Sequence, residues 1–313
     1  MNYKEIRKRA RQFESVTSLK VEEFDHLLAI FSDKWRNYYR IHTIEGKRRN
    51  APLMKPEKPT KSLPSTAEKL FFILVYLKNY ALQEMTAASF GFSQGQASKW
   101  QKALRPLLHE SLKSLDVLPT REGHKVAGIL DKLGETRCFL DGSERGINRP
   151  ADQTVQEGFF SGKKKGHEVK NNFLATENQY VVYLSPTHEG SVHDKKMADE
   201  DQLVFPDGTH LFQDTGYQGY APPNVFIVQP FKKPRNGGLC ELKKWFNKYV
   251  SKIRVCVEHA INGVKRCRVV KDKCRHFRQH FRDQVIDICT GLHNFRVCSP
   301  FRSYKCNFKW AVN

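Results

Sequence analysis

Near residue 136 the spacing of apolar residues changes from helical to strand-like, which limits the chain to a helical first part and a mixed α/β second part. Before the change, Val21, Phe24, Leu27, Leu28 and Phe31 recur at helix spacing within 1–45. A stretch with Gly46-Lys47-Arg48-Arg49 and three prolines follows over 46–63, and predicts a basic linker or exposed arm. At Pro64-Ser65-Thr66-Ala67-Glu68 a capping box opens a strongly apolar helix that should run to about 82. After the change, strands are expected over 136–141, 168–176, 179–185, 210–214 and 224–228, with Glu177-Asn178 turning a hairpin. Helices are expected over 191–203, 239–270 and 281–295. No internal repeat or low-complexity tract interrupts this order.

Residues 83–108 carry a second local pattern. A short helix should end at Gly91, which can take positive φ, and Ser93 should cap the next helix, with Gln96 in the reciprocal box position. Helix, tight glycine turn and second helix make a helix-turn-helix. The second helix exposes Gln94, Gln96, Lys99 and Lys102 and turns Ala97, Trp100 and Leu104 inward. Glutamine suits base edges and lysine suits phosphates, so these four are the candidate DNA contacts of this segment. An ordinary helical hairpin with a polar face is the plainer alternative.

Charge supports the first reading. The chain holds 53 Lys and Arg against 33 Asp and Glu, a formal charge of +20, which favours a polyanionic partner. An apolar share of 39% is enough for a packed core and argues against wholesale disorder. The longest apolar run, 70–77, is too short to span a bilayer, so no membrane role and a cytoplasmic, nucleoid-associated location are expected. The eight cysteines include no CxxC pair. Cys267 with Cys274-Arg275-His276 is at most a fragment of a zinc site, and reduced thiols are the expectation.

Three acids stand out in this basic chain: Asp141 and Asp214 end short apolar runs, and Glu258 lies inside the long helical pattern. Acids at the ends of two strands and on a later helix can converge at one sheet edge. A divalent cation is the counter-charge such a group calls for. Magnesium takes oxygen ligands and keeps several waters, so few carboxylates suffice. Two such ions can activate an attacking oxygen and stabilise a leaving one at phosphorus. Arg254, Glu258 and Lys265 share one helical stripe beside the apolar stripe of Ile253, Val257, Ile261 and Val264, so Arg254 and Lys265 are candidate phosphate contacts of the DNA beside Glu258. An Arg254–Glu258 surface pair is the plainer reading of that stripe. Lys163, Lys164 and Lys165, flanked by glycines just before a strand, form a compact positive loop suited to phosphate. Its glycine spacing is not that of a nucleotide-binding P-loop.

Taken together, several motifs resemble the DDE-type transposases of bacterial insertion sequences, in the branch related to Harbinger elements. They are Leu140-Asp141-Gly142-Ser143-Glu144, Phe160-Ser161-Gly162-Lys163-Lys164-Lys165, Gly190-Ser191-Val192-His193-Asp194, Asp214-Thr215-Gly216-Tyr217, and Arg254-Val255-Cys256-Val257-Glu258-His259 followed by Lys265. The helix-turn-helix is also similar to the one that precedes this domain in such proteins. The resemblance implies an RNase H-like mixed sheet flanked by helices and preceded by an all-α DNA-binding region. It also implies a divalent metal cofactor, two Mg²⁺ with Mn²⁺ able to substitute, held by Asp141, Asp214 and Glu258. The implied activity is cutting at terminal inverted repeats and strand transfer into target DNA, by a homo-oligomer on double-stranded DNA. Arg254 and Lys265 fit the Arg-xxx-Glu-xxxxxx-Lys signature. One departure shows: the tyrosine that many relatives place three before the arginine is Ser251 here, and Tyr249 lies off the stripe.

The expected organisation is a helical segment and linker over 1–63, the helix-turn-helix domain over 64–130, the catalytic domain over 131–297 and a tail over 298–313. Asp194 rivals Asp214 as the second acid, although its Ser-Val-His-Asp setting suits a helix start. His193 and His259 neighbour acids and read as polar surface residues, while Asp152, Asp199 and Asp201 read as loop and helix-end acids. A competing function is a transposase-derived DNA-binding regulator that no longer cuts. A non-mobile nuclease of the same fold is a third.

Overall fold

The computed structural model describes residues 1–54, 62–162 and 164–304. Its first part is helical: α1 (Tyr3–Arg7), α2 (Ala10–Thr17), α3 (Val21–Ile41), α4 (Thr66–Asn79), α5 (Gln83–Phe90), α6 (Gln94–Ser114) and α7 (Val126–Leu133). The expected capping box forms in full. Ser65 Oγ accepts from the Glu68 amide at 3.1 Å, and Glu68 Oε2 accepts from the Ser65 amide at 2.9 Å. α4 buries every side chain from Lys69 to Leu77 and stops at Tyr80, whose left-handed φ of 47° breaks the helix before 82. Part of the expected arm is folded: Arg49 Nε donates to the carbonyls of Tyr39 and His42, and the Leu53 amide to that of Arg40. These bonds hold 46–53 against the end of α3. Residues 55–61 lie outside the described residues.

The second part contains β1 (Arg137–Gly146), α8 (Gln153–Phe159), β2 (Phe160–Ser161), β3 (Gly166–Thr176), β4 (Val181–Leu184), β5 (His188–Glu189), α9 (Asp194–Asp201), β6 (Thr209–Gln213), β7 (Val225–Val228), α10 (Glu241–Val264), α11 (Arg268–Lys271) and α12 (Gln279–Val297). The sheet order is β2-β3-β1-β6-β7, with β4 and β5 also pairing with β3. β1 is antiparallel to β3 and parallel to β6, and β6 is parallel to β7. This is the RNase H-like mixed sheet that was expected. Two corrections concern the site. β1 does not end at Asp141 but continues to Gly146, because residues 142–146 pair in register with 168–172 of β3. The helix expected over 239–270 is two, since α10 stops at Val264 and α11 starts at Arg268.

Buried side chains of both parts form one continuous core, from Phe13 to Cys298. α12 joins them by packing on α6, α10 and β4. Polar clips reinforce the seam: Arg105 Nε donates to Gln284 Oε1 at 2.7 Å, and His109 Nε2 meets Asp287 Oδ2 at 2.7 Å. The DNA-reading candidate helix is thus anchored to the sheet-bearing part. Among the described residues no helix is long and apolar enough to cross a membrane.

Candidate active site

Two parallel strands bring the first two acids together. Leu140 on β1 pairs with Gln213 on β6, so Asp141 and Asp214 are the next residue along each strand. Asp141 remains within β1, opposite Phe173 of β3, and Asp214 caps a short 3-10 turn over Thr215–Tyr217. Each carboxylate takes a local backbone amide on Oδ1: Gly142 at 2.9 Å for Asp141 and Thr215 at 2.7 Å for Asp214.

Arg254 of α10 stands between them. Its Nη2 lies 3.6 Å from Asp141 Oδ1 and its Nη1 3.5 Å from Asp214 Oδ1. The residue is only 8% exposed, and its Nε is buried without a hydrogen-bond partner. The guanidinium expected to hold phosphate faces two carboxylates here. Its ion pairs do not include Glu258. Burial pushes the Asp141 pKa up to about 6; the Arg254 charge opposes this, and the charges of Asp214 and, more weakly, Glu258 add to it. Glu258 lies one turn beyond Arg254 on α10 and is exposed.

As they stand, no three His, Cys, Asp or Glu among the described residues are grouped to hold a metal ion. The donor chemistry nonetheless fits a hard cation. Two carboxylates face one guanidinium, acids around Asp141 penalise its charge, and among the described residues the hydrogen bonds and ion pairs of both carboxylate groups fall on Oδ1. The zinc fragment does not assemble: Cys267 and Cys274 are buried thiols, and Cys274 Sγ donates to the His276 carbonyl.

Asp194, the rival for the second acid, is the first residue of α9, as its setting suggests. It also stands against both acid-bearing turns. A Cβ placed on Gly216 would meet Asp194 Oδ2 at 2.8 Å, and one on Gly142 would meet Oδ1 at 3.7 Å. Lys170 Nζ holds Asp194 Oδ1 at 3.2 Å. Gly216, two residues after Asp214, is the signal for this, since a side chain there would meet the Asp194 carboxylate.

Asp201 was read as an ordinary helix-end acid and is instead buried beneath the site. Tyr183 donates to its Oδ1 at 2.7 Å and Asn172 to its Oδ2 at 2.8 Å, while Tyr217 donates to Asn172 Oδ1 at 2.8 Å. Burial, first of all, raises its pKa. This network ties the turn after Asp214 to β3 and β4. His193 and His259 are exposed, as expected of polar surface residues.

The lysine loop sits beside the site but is partly engaged. Lys164 Nζ lies 2.7 Å from Glu144 Oε2 and 3.5 Å from Glu168 Oε1. Lys165 is exposed with φ of 52°, and Lys163 lies outside the described residues. Lys265, placed by sequence on the α10 stripe, is the residue that ends the helix, and its Nζ donates to the Glu144 carbonyl at 3.3 Å. Burial, then the charges of Lys164 and Arg145, lower its pKa.

The helix-turn-helix forms with its turn as expected. Gly91 takes φ of 73°, and Ser93 Oγ accepts from the Gln96 amide at 3.3 Å, although the reciprocal half of that box does not close. Gln94, Gln96, Lys99 and Lys102 are exposed, and Ala97, Trp100 and Leu104 are buried. Lys99 pairs with Glu45 at 3.2 Å, and Gln94 bonds to Gln83.

The fold and site are thus a mixed RNase H-like sheet with two acids at neighbouring parallel strands, preceded by a helix-turn-helix. Comparison with known families narrows this. Residues 140–294 match the DDE superfamily endonuclease family, and residues 61–114 match the helix-turn-helix of DDE superfamily endonuclease. The chain is 25% identical over 165 residues to a probable transposase for insertion sequence element IS702 from Microchaete diplosiphon, covering 52% of this chain and 58% of that relative. The chain thus spans just over half the length of the curated relative it matches. No solved structure matches. The chain belongs to the DDE-type transposases of insertion sequences.

Proposed function

We propose that the protein is a DNA transposase that binds the terminal inverted repeats of its own element and catalyses metal-dependent strand cleavage and strand transfer. The observation that carries this reading is the register of β1 and β6, which sets Asp141 beside Asp214 with Arg254 between them. In it, residues 64–130 read DNA, residues 131–297 cut it, and 1–63 and 298–313 flank these as helical segment and tail. Asp141, Asp214 and Glu258 would hold the divalent cations, two Mg²⁺ or Mn²⁺. When bound, such ions polarise phosphoryl oxygens and lower the pKa of a water or hydroxyl.

The chain's own residues do the positioning. Arg254 offsets the repulsion between Asp141 and Asp214 and keeps both carboxylates turned to one point. Tyr217, Asn172 and Asp201 brace the turn that carries Asp214. Gln94, Gln96, Lys99 and Lys102 on α6 contact the duplex, with the glutamines at base edges and the lysines at phosphates. Lys164, Lys165 and Lys265 add positive charge beside the acids, and Lys163 belongs to the same loop. Target DNA and a second copy of the chain complete the working assembly, in a cytoplasmic, nucleoid-associated setting.

The test is cleavage of duplex DNA carrying the element's ends, with Mg²⁺ or Mn²⁺, by wild type and Asp141→Ala. Loss of cleavage with an unchanged melting curve is expected, and undiminished cleavage by the variant rules the site out. A binding-only regulator draws on one observation: among the described residues, no three metal-liganding side chains are grouped as they stand. Duplex binding without cutting by wild type would favour it.

A further inference from the structure

The first part of α10 is built unlike the rest of the helix. No residue of 241–249 is fully buried, the first being Val250, and only Phe246 and Asn247 are half-buried. Yet this segment carries Leu242, Trp245 and Tyr249, which are 78%, 65% and 51% exposed. Trp245 and Tyr249 lie four residues apart with their rings nearly parallel, 9° apart in plane and 5.9 Å between centroids. Two large exposed aromatics held parallel and offset in water form an apolar patch that calls for a partner.

The segment is also rigid. Asn247 clips the preceding strap by accepting from the Phe231 amide at 2.8 Å and donating to the Phe231 carbonyl at 2.9 Å. The Phe231 ring packs on Phe246 at 5.3 Å, and Lys243 Nζ sits 5.1 Å from its centroid.

Charge selects the partner. Between 229 and 257 the sole acid is Glu241, tied to Lys244 at 2.7 Å, whereas Lys232, Lys233, Arg235, Lys243, Lys248 and Lys252 share the strap and helix. Two copies of so basic a face would repel one another, which disfavours self-association. A polyanion with flat apolar faces fits both features. Duplex DNA offers phosphates and groove edges but keeps base faces stacked away, so the complementary partner is an unpaired strand.

We propose that Trp245 and Tyr249 form a stacking platform for unpaired nucleotides of the DNA substrate, with Lys244, Lys248 and Lys252 holding its phosphates. At helical spacing Trp245 lies roughly half a turn round α10 from Arg254, so the platform faces away from Asp141 and Asp214. It therefore takes a different stretch of DNA from the phosphate at the acids. The proposal rests on the reading of this chain as a DNA-processing transposase and adds a single-strand site to it.

The experiment measures binding of the full chain to a fluorescent oligo-dT of roughly 15 nucleotides and to a duplex of the same length bearing the element's end. Replacing Trp245 and Tyr249 together by Ala should weaken oligo-dT binding on the order of 10- to 100-fold. The salt slope should not change, because no charge is removed, and duplex binding through α6 should stay. Trp245→Phe should keep most of the single-strand affinity. Lys248→Ala should lower the single-strand salt slope by about 0.7. Both aromatics are exposed, and an unchanged melting curve checks the fold.

Oligo-dT affinity within about twofold of wild type in the double variant overturns the proposal. So does loss of self-association with single-strand binding intact, which would assign the face to a second copy. Cleavage that survives Asp141→Ala would instead overturn the catalytic reading and leave the dT result standing.

Discussion

Asp141, within β1, and Asp214, the first residue after the neighbouring parallel strand β6, each lie one step past the Leu140–Gln213 pair. A two-residue relation of this kind is set by sheet register and tolerates no slip. Moving either strand by one residue would turn its acid to the opposite face.

Asp141 should make the metal-free protein less stable as pH rises. Its carboxyl is pushed up to about 6 from an ordinary value of 3.8, so the fold binds this proton better than the unfolded chain does. The stabilisation is complete below the unfolded value and is lost as pH climbs through the folded one. Asp141→Asn, measured by denaturant unfolding in EDTA, should therefore gain on the order of 2 kcal/mol over wild type at pH 7. The gain should vanish near pH 4. Equal stability of the two proteins at pH 7 would show that the carboxylate is not strained by burial.

Removing Arg254 should have the reverse pH signature. Arg254→Met leaves Asp141 buried without its counter-charge, which raises the carboxyl further. The expected loss is about 1–3 kcal/mol at pH 8. The loss should be smaller at pH 5, where Asp141 takes up a proton. A pH-independent loss would mean that Arg254 contributes packing alone.

Gly216→Ala should act through Asp194. The new Cβ would lie 2.8 Å from Asp194 Oδ2, so one of the two must move. Cleavage should fall by at least tenfold, an order-of-magnitude figure for a misplaced site group. Trimming the neighbour with Asp194→Ser should absorb most of the stability cost of the glycine change. Strict additivity in that double-mutant cycle would separate the two residues.

On α6, lysine and glutamine substitutions should differ in kind. Lys102→Ala is expected to weaken duplex binding uniformly and reduce the salt slope by about one. Gln96→Ala should relax preference at one base pair, costing about 1–3 kcal/mol on the best site and little elsewhere. Competition titrations over a set of single-base variants distinguish these outcomes. A uniform loss for Gln96→Ala would remove it from base reading.

A pH effect is also expected at the seam between the two parts. Its hydrogen bond to Asp287, more than any other influence, raises the His109 pKa, so the stabilisation is present at low pH and lost as pH rises through the folded value. His109→Gln should be less stable than wild type near pH 5.5, with the gap closing above pH 8. A gap that stays constant over this range would show that the His109 charge does not matter.

What could be read directly from residues was local in the chain. The Ser65–Glu68 box, the left-handed Gly91 and the Ser93 cap each involve groups at most three positions apart, so their chemistry is written in adjacent letters. The exposed face of α6 follows from helical period alone. The acids of the site were legible as types in their settings, the order of strands and helices in the change of period, and the RNase H-like sheet only through the resemblance of the motifs to a family.

Only the tertiary structure settled how those letters meet. The polar run 142–146 has little strand character, and it became strand because β3 offered it a complete ladder. Arg254 looked like one more cation on a helical stripe until the packing of α10 on the sheet buried it between two aspartates contributed by distant segments. Asp201 is an ordinary acid by position and Asp194 a rival for the second ligand, yet the fold buried the first under two donors and pressed the second against Gly216. The physical reason is the same throughout: desolvation and ion pairing depend on separation in space, and local pattern carries no measure of which remote side chain will fill the gap.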